Sequence, residues 1–89
     1  HSKKEYEMIN LPNITEASKS LFIAYAEDAG NWGGNPLVGG NVGDAPADKG
    51  NLTQLKKAGL VRTEIEEGNA WLFFTTLGKA YATQLGIEI

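Results

Sequence analysis

The chain contains no cysteine, which excludes a disulfide framework and a cysteine-based zinc site. Its single histidine is residue 1. His1 and Ser2 open the chain without a methionine and are expected to be a cloning remnant, which leaves no histidine for general-base or metal chemistry. No run reaches the roughly 18 apolar residues that a membrane-spanning helix requires, and no basic-then-apolar start resembles a secretory signal. The expectation is a cytoplasmic protein with no membrane partner. The carboxylates are scattered, with no nucleophile beside a base, so neither an enzyme nor a cofactor is expected. Positive charge is also in short supply: 8 Lys and Arg against 11 Asp and Glu give a net charge of −3. Nucleic-acid binders usually carry basic excess, so any such role depends on how the charge is segregated.

What is present is enough for one small folded domain. Eighty-nine residues with 42% hydrophobic content can bury a single core, with little stability to spare. Residues 3–12 read as an extended lead-in packing on the core or as a frayed helical turn, and Pro12 separates this piece from the first helix. Asn13 with Glu16 forms a cap-and-return pair for that helix. Ile14, Ala17, Leu21, Ala24, Tyr25 and Asp28 recur along one side of it, and Phe22, Ala26 and Ala29 widen the stripe toward a core-facing surface. Gly30-Asn31 is the expected stop.

Residues 30–50 hold seven of the eleven glycines and two of the three prolines. Glycine costs backbone entropy inside regular elements, yet Trp32, Pro36, Leu37, Val38 and Val42 are too apolar for a free linker. The expectation is an ordered glycine-rich loop pinned by Trp32 and Leu37-Val38, with room for one short helical turn. A phosphate cradle is not expected from GDAPADKG: position 48 is Asp where that pattern has Gly, and Gly50 lacks the magnesium-binding hydroxyl.

Asp48 is placed to cap the next helix, in which Leu52, Leu55 and Ala58 share one side and Gly59 provides the stop. Then the period changes to two. Val61, Thr63 and Ile65 alternate with Arg62, Glu64 and Glu66, Glu67-Gly68-Asn69 supplies a turn, and Ala70 to Phe74 returns. Thr75 or Thr76 caps a last helix with Leu77, Ala80, Tyr81 and Leu85 on one face, ended by Gly86. Trp32 and Trp71 read as packing residues rather than base-stacking platforms.

The order helix, Gly-Leu-Val, strand, acidic-Gly turn, strand, Phe-Thr-Thr-Leu-Gly-Lys-Ala resembles a winged helix-turn-helix domain. In particular LTQLKKAGLV and WLFFTTLGKAYATQLG, within residues 48–86, are similar to the recognition helix, wing and following helix of MarR-like and PadR-like transcriptional regulators. The resemblance implies an α+β, mainly helical winged-helix fold: three or so helices, a two-stranded β-hairpin wing and, peculiar to this chain, the long glycine-rich ordered loop. Where such domains place a helix before the recognition helix, this chain has that loop.

Double-stranded DNA is the partner the resemblance implies, in a transcriptional regulator or mobile-element protein. Asn51, Thr53, Gln54, Lys56 and Lys57 would lie on or beside the exposed face of the recognition helix, and Arg62 with the turn 67–69 in the wing. Gln54 could pair adenine in the major groove, while Lys49, Lys56, Lys57 and Arg62 would hold phosphates. Residues 49–62 contain those four cations and no acidic residue, whereas Glu64, Glu66 and Glu67 make the wing acidic. The alternative is a winged-helix protein-interaction module without DNA binding, gripping a protein partner or a second copy through Trp32, Leu37 and Val38.

Overall fold

The computed structural model describes residues 14–32, 35–40, 42 and 46–89, Trp32 by its backbone alone. The lead-in 3–12, Asn13 and the Trp32 side chain lie outside the described residues. Three helices and one antiparallel hairpin occur in the order α1 (Glu16–Trp32), α2 (Asp48–Lys57), β1 (Val61–Glu66), β2 (Asn69–Phe74) and α3 (Thr76–Gln84). This is a small α+β fold.

Helix α1 is capped by Thr15, whose Oγ1 accepts the Ser18 amide at 3.1 Å. It buries Ser18, Leu21, Phe22, Tyr25, Ala26 and Ala29. That face is rotated from the expected stripe, and Ala17 is exposed. The helix also runs through Gly30 and Asn31 to Trp32 instead of stopping there. Glycine lowers helix propensity by about 1 kcal/mol relative to alanine. The glycine sits beside the C-terminal segment, where a Cβ would stand 3.3 Å from Glu88 O.

Within the glycine-rich stretch, residues 36–38 lie beside β2. Val38 N–H donates to Ala70 O and Leu72 N–H to Pro36 O, both at 2.9 Å. Leu37 forms an isolated antiparallel bridge with Trp71. The chain then turns tightly: Gly39 N–H reaches Val42 O at 3.0 Å, with Gly39 at φ +81°. Residues 33–34, 41 and 43–45 of this stretch lie outside the described residues.

Helix α2 begins at Ala47, which makes no side-chain cap, so Asp48 occupies the first turn rather than the cap expected for it. At the other end Gly59 has φ +80°, Gly59 N–H bonds Lys56 O at 3.0 Å and Leu60 N–H bonds Leu55 O at 3.1 Å. This paired closure satisfies two end carbonyls and turns Leu60 inward, as the Gly-Leu sequence predicts. Leu60 becomes fully buried, a gain of about 1.5–3 kcal/mol for a side chain of that size.

The hairpin pairs Val61 with Phe74 through Glu66 with Asn69. Its two-residue turn has Glu67 at φ 53° and Gly68 at φ 82°, the positive-φ pair that matches strand twist. Val61 is buried and Thr63 half-buried, but Ile65, expected on the core side, is 77% exposed. Alternation continues to Ile65, but that side chain is not part of the core cluster.

Thr75 caps α3, accepting Gly78 N–H at 2.9 Å. The buried face of α3 is Gly78, Tyr81 and Ala82. Leu77, at 36% exposure, and Ala80 are expected there from their spacing and face outward instead. Gly78 decides the rotation: a Cβ at this position would overlap the Leu60 carbonyl oxygen, so glycine lets α3 settle onto the end of α2. The core is one cluster, with Phe22 edge-on to Phe74 at 5.6 Å and tilted against Tyr81 at 5.0 Å between ring centres.

Candidate nucleic-acid interface

Helix α2 presents two different polar sides. Toward α1, Gln54 Oε1 accepts the Thr15 backbone N–H at 2.8 Å and the Thr15 hydroxyl at 3.3 Å. The Ser18 hydroxyl lies 3.3 Å from Asn51 Oδ1 and 3.4 Å from Asn51 O, and Asn51 Nδ2 donates to Asp48 at 3.4 Å. Both amides are half-buried. They join α2 to the start of α1, where backbone N–H groups have no helical partner of their own. The oxygen that Gln54 would need for two-point adenine recognition is therefore engaged with Thr15.

Away from Leu52 and Leu55, the side chains of Lys49, Thr53, Lys56 and Lys57 are all exposed. Spacings of four and three put Lys49, Thr53 and Lys56 in one row, with Lys57 beside it. The Thr53 hydroxyl donates back to Lys49 O at 2.9 Å. Arg62 pairs with Glu64, and among the described residues none of these three lysines has a carboxylate partner. They are free to meet an external anion.

Arg62 belongs to another surface. Its guanidinium stacks over Phe73, 4.5 Å from the ring centre, and pairs with Glu64. It lines an open cleft of about 570 Å³ together with Ala29, Asn35, Phe73, Lys79 and Glu88, and with no lysine of α2. Nothing in the sequence singles out Lys79, because only the packing of α3 on the hairpin brings it near Arg62. Leu37 and Val38 are half-buried, and Val38 packs against the core. Their backbones join β2 rather than presenting an open grip. Among the described residues, no group of three or more His, Asp or Glu residues is placed to hold a metal ion, and no helix is long and apolar enough to cross a membrane.

Two phenols are perturbed. Burial, and then the charges of Asp48 and Asp28, raise Tyr25 above the ordinary value of 10.0, with the Gly39 backbone partly offsetting them. Burial, then Glu16, raises Tyr81 likewise. Both are core residues.

No protein-family model, curated protein or solved structure matches the chain.

Proposed function

We propose that the protein is a winged-helix DNA-binding module of a transcriptional regulator or mobile-element protein, with α2 as the recognition helix and β1–β2 as the wing. The observation carrying this reading is the lysine row Lys49, Lys56 and Lys57, without a carboxylate partner among the described residues, on the exposed side of a helix held from behind by α1. Side chains so placed suit phosphate contacts, which supply most of the affinity for duplex DNA. Thr53 stands between them at the position to meet a base edge. The three-helix order with its hairpin, and the extra pairing of residues 36–38 on β2, are compatible with the fold. In this reading Asn51 and Gln54 position the recognition helix, and the acidic wing stays clear of the backbone.

The test is a mobility-shift titration with random duplex at low salt. Lys56→Glu with Lys57→Glu should weaken binding at least tenfold without altering the circular dichroism spectrum. Equal binding by the double variant, or no binding by the parent chain, overturns the proposal.

A further inference from the structure

Among the described residues, one edge of the hairpin is joined to other backbone and the other edge is open. Leu72 N–H leaves the hairpin toward Pro36 O, and Thr75 N–H bonds Leu60 O at 3.1 Å. With Val61 opposite Phe74, the bonded pairs must then be 62 with 73, 64 with 71 and 66 with 69, since bonded and non-bonded pairs alternate in an antiparallel ladder. The N–H and C=O groups of Thr63 and Ile65 accordingly point away from β2. Among the described residues, none accepts from or donates to them.

Side chains mark this edge as well. Ile65 is 77% exposed, the most exposed large apolar side chain among the described residues. Glu64, Glu66 and Glu67 are all exposed around it, and the one cation of the hairpin, Arg62, is already paired to Glu64. A second copy pairing here about Ile65 would set Glu64 against Glu66, which like charges oppose. The same carboxylates favour a cationic strand.

We propose that the outer edge of β1 is a docking site for an extended protein segment in which basic and apolar residues alternate. Such a segment adds a strand to the sheet. Its backbone pairs with Thr63 and Ile65, its basic side chains flank Glu64 and Glu66, and its apolar ones lie beside Thr63 and Ile65. The site is separate from the lysine row of α2 and does not depend on DNA binding.

The probe is the heptapeptide Lys-Val-Lys-Val-Lys-Val-Lys, with Glu-Val-Glu-Val-Glu-Val-Glu as control, added to the whole isotopically labelled chain. Amide hydrogen exchange of Thr63 and Ile65 should slow at least tenfold at saturation with the basic peptide. Glu66→Lys should weaken that binding at least fivefold, and Ile65→Thr severalfold. Both positions are exposed, and the amide spectrum of each variant reports whether it has folded. Protection that appears elsewhere, protection by the acidic peptide alike, or protection that grows with protein concentration in the absence of peptide would overturn the proposal, the last in favour of a second copy.

Discussion

Gly78 and Gly50 show how differently one residue type acts within the same chain. A Cβ at Gly78 meets the Leu60 carbonyl oxygen, a backbone atom that cannot swing aside, whereas a Cβ at Gly50 meets nothing within 4 Å. Gly78→Ala should lose about 3 kcal/mol or more, in the range of severe overpacking. Gly50→Ala, in an exposed helical turn, should gain about 0.5–1 kcal/mol. Urea unfolding midpoints of the two variants should therefore move in opposite directions. Tyr25 sets a pH limit. Its buried hydroxyl has no partner in full hydrogen-bond geometry among the described residues, only the Gly39 backbone nearby, and burial raises its pKa above 10.0. The unfolded phenol then ionises first as pH rises, so the folded state binds more protons above pH 10 and stability falls from there upward. Below that pH this contribution is fully present. Tyr81 acts in the same direction. Tyr25→Phe should unfold at a midpoint close to the parent's at pH 7 and lose less stability between pH 9 and 11.

At the scale of elements, one junction holds α2, β1, β2 and α3 together. Thr75 accepts Gly78 N–H, while its hydroxyl is 2.6 Å from Gly59 O and 3.0 Å from Leu60 O. One side chain thus starts α3 and ties it to the end of α2. This is the physical content of the Gly-Leu-Val and Thr-Thr-Leu-Gly pattern: the first turns the chain inward, and the second closes over the carbonyls that the turn exposes. Thr75→Ala should cost about 1–2 kcal/mol, the upper part of the capping range, because the Gly59 carbonyl loses its partner as well as the Gly78 amide. Thr75→Ser should recover most of it, as read from thermal unfolding. The same junction explains why the buried face of α3 departs from its sequence pattern. Helical spacing makes Leu77 and Ala80 as good as Tyr81 and Leu85, and only the close approach at Gly78 selects between them. In α1 the helix likewise departs from local propensity, running through Gly30 and Asn31 beside the C-terminal segment.

For the whole molecule, charge is arranged by surface rather than in sum. The net charge is −3, yet the lysine row of α2 is basic and the hairpin edge acidic. If Lys49, Lys56 and Lys57 each contact one phosphate, removing Lys56 and Lys57 should reduce the slope of log K against log salt by about 2. A fluorescence-anisotropy salt series checks this. Arg62→Ala should leave that slope nearly unchanged, since its guanidinium is committed to Phe73 and Glu64.

The sequence by itself determined the local events: a helix around 16–29, the stop at Gly59, the hairpin with its Glu-Gly turn, the Thr cap and the basic run 49–62. Each arises from side-chain spacing or from a residue's own backbone preference, which act within a few positions. Tertiary structure decided the matters that need two distant segments. It turned Gln54 and Asn51 toward the start of α1, separated Arg62 from the lysines it accompanies in sequence, paired residues 36–38 with β2 and left Ile65 outside the core. Those outcomes depend on which backbone reaches which, and periodicity holds no record of it.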